Sequence, residues 1–180
     1  MDFEREYTWA KERSSDMHQH VPWIAELSSE CSHATELGVG YGVSTRAFLK
    51  NDIELHSYEI SVYPETQKFF DEAKAAGRRV TLHVEDTREA EIESTEIMLV
   101  DSYHSYDQVK CELERHANKV SKYILFHDTE LYGMVGQGGE RGIMPAIWEF
   151  LEANHTEWEL FEQRKNNNGM ILFKRKTWNN

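Results

Sequence analysis

Thr35-Glu36-Leu37-Gly38-Val39-Gly40-Tyr41-Gly42-Val43-Ser44 sets an acidic residue and three alternate glycines between a short apolar segment and a helical one. Glycines spaced this way let a ligand approach backbone N–H groups near a helix N-terminus, where polar and charged ligand groups are stabilised. A dinucleotide fingerprint, G-x-G-x-x-G/A, does not fit. Its last small residue is replaced by β-branched Val43, which would obstruct pyrophosphate packing. Two readings remain: an E-x-G-x-G-x-G ligand cradle, or a glycine-rich turn with a purely structural purpose.

Outward from the motif, strand and helix patterns alternate. Apolar runs around His33–Leu37, Ile53–Ile60, Val80–Val84, Ile97–Val100 and Tyr123–Phe126 predict strands. The last two are unbroken, as expected for strands of a parallel sheet covered on both faces. Helical segments fall between them at Ser44–Lys50, Glu65–Ala76 and Tyr106–Val120. The third carries Tyr106, Val109, Leu113, Ala117 and Val120 on one stripe. Gly77 stands where a C′ glycine belongs, and Ser105 with Gln108 fits a capping box. Ahead of the motif, Val21, Ile24 and Leu27 recur at helical spacing between His20 and Glu30, and charged residues 2–14 predict a loose helix. This alternation specifies an α/β fold with a mostly parallel sheet.

The C-terminal part changes character. A helix is predicted at Met144–Ala153, with Pro145 in its first turn. Trp158-Glu159-Leu160-Phe161 and Met170-Ile171-Leu172-Phe173 then read as strands joined by polar residues ending in Asn168-Gly169, an antiparallel hairpin. With the glycine motif near one end and this hairpin at the other, the chain resembles the class I S-adenosylmethionine (SAM)-dependent methyltransferases. The resemblance implies a Rossmann-like fold closed by a C-terminal hairpin, and SAM as cofactor.

Ligands of open α/β sheets sit beyond the carboxyl ends of the strands. Under the resemblance, Glu36, Gly38, Gly40 and Gly42 form the cofactor cradle. Glu59, followed by Ile60, ends the second strand 17 residues after Gly42 and suits the two hydroxyls of a ribose. Asp86, followed by Thr87, ends the third and suits an adenine amino group. Either acid taken alone reads first as a solvated loop residue, and position after a strand together with the glycine motif turns the reading toward a ligand.

Leu99-Val100-Asp101-Ser102-Tyr103-His104-Ser105-Tyr106-Asp107 and the strand end Phe126-His127-Asp128-Thr129 bring Asp101, His104, His127 and Asp128 to one crevice. Two carboxylates with imidazole and water suit a divalent cation, and an oxygen-rich set leans toward Mg²⁺ or Mn²⁺. D-x-x-H-S-Y-x-x-V followed by F-H-D-T resembles, over about residues 18–175, the methyltransferases grouped with cephalosporin-hydroxylase-like and macrolide-sugar O-methyltransferases (methyltransferase family 24-like). Gly142-Ile143-Met144-Pro145-Ala146-Ile147-Trp148-Glu149-Phe150 is similar to their helix after a mobile loop. The resemblance implies that Asp101 and Asp128 hold Mg²⁺ or another divalent cation and that His104 is the base for a sugar hydroxyl. His127 stands where the family has the first acid of a pair, and is expected either as a third ligand or as a structural neighbour. For His104 the alternative is a helix-entry residue bonded to backbone. The glycine-rich Glu130–Arg141, with Gly133, Gly136, Gly138 and Gly139, is expected as a flexible loop over the site, either a lid on acceptor and SAM or a disordered surface loop.

Composition narrows the class. A 180-residue chain with no repeat or linker is expected to be one domain over 1–180. Its net charge of −12 argues against nucleic acid as partner and is explained most simply by solubility. The two cysteines, Cys31 and Cys111, have neither zinc-ribbon nor disulfide-framework spacing. No apolar run long enough for a membrane span and no signal peptide are present, so a cytoplasmic protein is expected. The functional expectation is an enzyme moving a methyl group from SAM to a hydroxyl of a small molecule, a sugar or sugar-bearing metabolite. A homodimer is expected only at family level. A SAM-binding protein of the same fold without methyl transfer is the alternative. DNA-base methylation is disfavoured by the missing [DN]-P-P-[YFW], and a nicotinamide dehydrogenase by Val43 and the hairpin.

Overall fold

The computed structural model describes residues 1–176. Seven strands form one sheet: β1 (His33–Leu37), β2 (Glu54–Tyr58), β3 (Val80–His83), β4 (Thr95–Val100), β5 (Val120–His127), β6 (Trp158–Arg164) and β7 (Met170–Arg175). Their spatial order is β3-β2-β1-β4-β5-β7-β6. The first five run parallel, while β7 pairs antiparallel with both β5 and β6. The α/β class and the terminal hairpin are therefore as expected.

Each face of the sheet has its own core. Helices α1 (Phe3–Glu12), α2 (Val21–Ser28), α3 (Val43–Phe48) and α4 (Pro64–Ala75) cover one side, where Ile24, Phe48, Leu55, Phe70, Ile97 and Leu125 interlock. Helices α5 (Tyr106–His116) and α6 (Met144–Ala153) cover the other side over β4, β5 and β7, burying Met98, Val109, Ile124, Ile147 and Phe173. Ile97, Met98, Leu99, Ile124 and Leu125 are fully buried, which is why β4 and β5 read as unbroken apolar runs.

Several boundaries move. Helix α5 ends at His116, and Ala117–Lys119 form a 3₁₀ turn, so Val120 opens β5 instead of closing the helix. The stripe was right in composition, but its last member belongs to the sheet. Only half of the capping box forms: Ser105 Oγ accepts from Gln108 N at 3.2 Å. The Gln108 side chain turns to Thr87 and Glu112 instead. Helix α1 is docked rather than loose. Glu6 accepts from Arg46 Nε at 2.9 Å, and that guanidinium lies 4.4 Å from the Trp9 ring centroid. No helix among the described residues is long and apolar enough to cross a membrane.

Candidate active site

β1 lies between β2 and β4, so the chain reverses its direction of growth there and leaves a gap beyond the strand ends. A crevice of 590 Å³ occupies that gap, within the usual range for small-molecule sites. Gly38 and Gly40 form one wall, Tyr58, Glu59 and Ile60 another, and Asp101 to His104 the third. The glycines do different jobs. Gly38 has φ +90°, and a Cβ there would run into the Asp101 carbonyl; its bareness lets the β1 and β4 loops touch. A Cβ on Gly40 would meet nothing within 4 Å, so only this glycine presents its bare backbone to open space. Gly42, at φ +69°, caps α3 and lies outside the crevice lining.

The acids expected to hold a cofactor are already engaged. Glu36 is wholly buried beneath the loop, where it accepts from Ser44 Oγ at 2.5 Å, Thr45 Oγ1 at 2.9 Å and Ser57 Oγ at 2.6 Å. Burial outweighs those three donors and pushes its carboxyl up to about 7. Glu36 thus supports the loop from below and does not face the crevice. Glu59 does line it, and its Oε2 accepts from Val39 N at 3.0 Å and Gly40 N at 3.1 Å. The loop N–H groups expected to face a ligand are therefore turned onto this carboxylate. Ile60 is exposed at the rim. Asp86 also lines the crevice, but Arg88 grips both of its oxygens, Nε to Oδ1 at 3.1 Å and Nη2 to Oδ2 at 2.7 Å. Thr87 points its hydroxyl inward to Glu112, a buried carboxylate that also accepts from Ser102 Oγ at 2.5 Å and Gln108 Nε2 at 2.9 Å.

The expected chemical cluster assembles at the ends of β4 and β5. His104 Nε2 lies 3.3 Å from Asp101 Oδ1 and 3.0 Å from Asp128 Oδ2. Burial draws its pKa down, but the two carboxylates prevail and raise it above 6.5. His127 Nδ1 is 3.0 Å from Asp101 Oδ1, and its Nε2 faces two carbonyl oxygens, Asp16 at 3.0 Å and Asn167 at 3.2 Å. Carbonyls only accept, so Nε2 carries a proton, while Nδ1 faces a carboxylate. Burial opposes the charge, yet Asp101 holds His127 up to about 9. Asp101, despite its own burial, is held down to about 2 by His127 and His104. Asp128 has φ 59°, a left-handed backbone rare for a residue with a side chain. Its Oδ1 is buried without a hydrogen-bond partner.

Further residues of this site come from the loop expected over it and from the hairpin turn, none of them named by the motif spacing. The Glu130–Arg141 loop is built in rather than loose: Val135 bridges Arg141, Gln137 N donates to the His104 carbonyl at 3.0 Å, and Tyr132 N donates to the Asp128 carbonyl at 2.9 Å. A Cβ on Gly136 would come within 2.7 Å of the His104 carbonyl, so this glycine serves close packing rather than freedom. Tyr132 stacks on the His104 ring with centroids 4.9 Å apart, and Gln137 Oε1 lies 3.2 Å from His104 Nδ1. The hairpin turn approaches from the other side. Asn166 and Asn167 carbonyls accept from His20 Nε2 at 3.1 and 3.2 Å, and His20 stands edge-on to His127. Glycine and asparagine content marked both segments as turns, but nothing local in them names their partners.

No protein-family model matches the chain, and no curated protein matches it in sequence. Solved structures do match in shape. The N-methyltransferase NodS of Bradyrhizobium japonicum WM9, in complex with S-adenosyl-L-homocysteine, superposes with a TM-score of 0.67 at 13% identity, covering 98% of this chain and 97% of that one. Burkholderia thailandensis 1,6-didemethyltoxoflavin-N1-methyltransferase, with bound 1,6-didemethyltoxoflavin and S-adenosylhomocysteine, gives 0.68 at 17% identity, covering 98% and 86%. An O-methyltransferase family protein from Burkholderia thailandensis gives 0.64 at 13% identity, covering 88% of this chain and 55% of that one. The fold is that of the SAM-dependent methyltransferases.

In a methyltransferase fold the crevice beyond β1 and β4 is the place for a cofactor, and the residues present fit one. Gly40 leaves room against the backbone, and Glu59 offers a second oxygen, Oε1, that is bonded only to Ser61 N at 3.2 Å. A divalent cation also finds a donor set, although not the expected one. Asp101, His104 and Asp128 each offer an atom within 4.8 Å of the others, and Asp128 Oδ1, without a hydrogen-bond partner, lies 3.7 Å from His127 Nδ1. His127 lies outside that set: its Nδ1 faces Asp101 Oδ1 and its Nε2 faces two backbone carbonyls.

Proposed function

We propose that this protein transfers the methyl group of SAM to a hydroxyl of a small molecule, a sugar or sugar-bearing metabolite being the first class to try, with His104 taking the hydroxyl proton. The observation that carries the proposal is the position of His104 on the crevice wall beside Asp101, with its Nε2 fixed by two carboxylates. Those carboxylates keep the proton on Nε2, which leaves Nδ1 as the basic nitrogen on the side of Gln137. The Gln137 amide, whose two ends exchange by a flip, then meets Nδ1 with its N–H until an acceptor hydroxyl replaces it.

Bound SAM supplies an electrophilic methyl carbon on a sulfonium; the acceptor oxygen bonds to that carbon as the S–CH₃ bond breaks and its electron pair returns to sulfur. The chain's part is alignment and proton removal. Glu59 is the residue for the ribose hydroxyls, and Gly40 admits the cofactor against the loop. Asp86 suits the adenine amino group only if Arg88 releases one of its oxygens. Alignment supplies up to about 7–11 kcal/mol in favourable cases, and a positioned base about 10²–10⁴-fold. A divalent cation held by Asp101, His104 and Asp128 would serve the same end by lowering the pKa of a bound hydroxyl, using the imidazole as ligand rather than base.

The test is calorimetric titration with S-adenosylhomocysteine, with and without Mg²⁺, followed by an acceptor screen that begins with sugars. Binding, together with a turnover that falls about 10²–10⁴-fold in His104→Gln, supports the reading. Binding without turnover on any acceptor supports the second one, a SAM-binding protein of this fold. The pairing of His104 and His127 with Asp101 and Asp128 favours that second reading, since it neutralises the cluster internally. Absence of binding would sink both.

A further inference from the structure

The crossover from β3 to β4, residues 84–94, contains no helix. The face of β1, β2 and β3 on the α5 side therefore lacks the helical layer that covers β4 and β5. Alternation along the strands brings His33, Glu54, His56, Tyr58 and His83 onto this face, with His33 beside Glu54 and Tyr58 beside His83 in register. The rings make a continuous row. Centroids are 5.1 Å apart for His33 and His56, 5.3 Å for His56 and His83, and 4.4 Å for His83 and Tyr58.

We propose that His33, His56 and Glu54, at the start of β1 and β2, form a transition-metal site suited to Zn²⁺, separate from the crevice at the other ends of the strands. Hydrogen bonding settles which nitrogens are available. Thr95 Oγ1 gives its own proton to backbone carbonyls, to Ile97 at 3.1 Å or His33 at 3.3 Å, so it accepts from His33 Nδ1 at 3.0 Å. His33 Nε2 is then left as a lone-pair nitrogen, buried and without a hydrogen-bond partner. In the second ring, His56 Nδ1 shares a proton with His83 Nε2 at 3.1 Å. His83 Nδ1 lies 3.9 Å from Glu85 Oε1, and His56 Nε2 faces Glu54 Oε1 at 3.6 Å. An ion binding between His56 Nε2 and Glu54 would replace the proton the two otherwise share, as metal binding to imidazole does in general.

All three ligand atoms lie within 4.8 Å of one another. Two ligands, each about 2.0–2.1 Å from a tetrahedral ion, stand about 3.4 Å apart, so small side-chain movements close the site. Glu54 Oε2 is held by Arg79 Nη1 at 3.1 Å, which orients the carboxylate. Glu93 Oε2, 4.0 Å from His33 Nε2, stands ready as a fourth ligand, and Glu96 adds negative charge near the ring. Two imidazoles and one or two carboxylates favour Zn²⁺ over Mg²⁺ or Ca²⁺. Thr95 and His83 complete the arrangement by holding the far nitrogen of each ligand ring.

The test is titration of the full chain with Zn²⁺, and with Co²⁺ followed by its visible absorption, in wild type and in His33→Asn, His56→Asn, Glu54→Gln and Thr95→Val. His104→Gln separates this site from the crevice cluster, and far-ultraviolet circular dichroism checks that each variant is folded. The expected result is an ion with the intense absorption of four-coordinate Co²⁺, retained in His104→Gln, which removes any ion held by the crevice cluster. That binding is lost in folded His33→Asn and His56→Asn and weakened about 10–100-fold in Thr95→Val, where the ligand survives but its hydroxyl support is gone. A four-coordinate Co²⁺ absorption that persists in both histidine variants, or that vanishes only in His104→Gln, overturns the assignment, as does a wild-type chain that takes up no ion. Should His33→Asn or His56→Asn misfold, Glu54→Gln and Thr95→Val decide: unchanged affinity in both overturns it.

Discussion

His127 Nδ1 lies 3.0 Å from Asp101 Oδ1, joining the end of β5 to the end of β4 at the mouth of the crevice. Both partners are shifted toward the ion pair: the imidazole up to about 9 and the carboxyl down to about 2. The pair's contribution to stability therefore has two limits. The His127 part is complete below its ordinary value of 6.5 and is lost as pH rises through about 9. The Asp101 part is complete above its ordinary value of 3.8 and is lost as pH falls through about 2.

Urea denaturation of the metal-free protein will show stability falling between neutral pH and about 9, a slope that His127→Gln removes. That substitution leaves Asp101 with a buried charge and one imidazole fewer, and costs about 3–5 kcal/mol at pH 6. An unchanged alkaline slope in His127→Gln would show that another group titrates there.

His104→Gln retains S-adenosylhomocysteine binding and slows methyl transfer about 10²–10⁴-fold. Because the carboxylates raise the His104 pKa and the base must be unprotonated, the wild-type rate climbs with pH to a midpoint above 6.5. A rate indifferent to pH from 6 to 9 contradicts the base assignment.

Glu59 links cofactor affinity to loop shape, since it holds Val39 N and Gly40 N. Glu59→Gln keeps an acceptor for those donors but loses the charge that binds hydroxyls, and weakens S-adenosylhomocysteine by about 10–100-fold. Titration calorimetry reads the loss, and an unchanged melting temperature assigns it to the ligand rather than the loop.

Gly38 and Gly40 respond differently to alanine. At Gly38 the new methyl strikes the Asp101 carbonyl at φ +90°, and the fold loses at least about 1–3 kcal/mol. At Gly40 the methyl enters open space, at a backbone cost of about 1–2 kcal/mol, and takes volume from the crevice instead. Thermal melts and ligand titration of the two variants will separate a packing glycine from a binding glycine.

The sheet was legible because its central strands are buried on both faces and carry that fact in composition: Ile97 to Val100 and Tyr123 to Phe126 hold no polar residue to suggest another environment. Asp101 and Asp128 were legible as the first carboxylates after such strands. Val120 was misread because it satisfies both the stripe of α5 and the start of β5, and periodicity cannot see the 3₁₀ turn between them. The partners of His127 lay beyond local reach. Asp16 is 111 positions away and Asn167 is 40, and neither offers a side-chain signal, since each contributes a carbonyl. Gly136 reads as a mark of freedom because sequence alone does not separate a glycine that lets the chain move from one that lets two segments touch.

β7 comes later in the chain than β5 and β6, yet it is seated between them. A ribosome delivers those two strands before the one that must lie in the gap. The half of the sheet bearing Asp128 therefore waits, with the β5 edge unpaired, until Met170–Arg175 has emerged. Assembly of the crevice is to that extent tied to the emergence of β7. A nascent chain halted before β7 would display an adhesive apolar strand, of the kind that chaperones and aggregates both recognise.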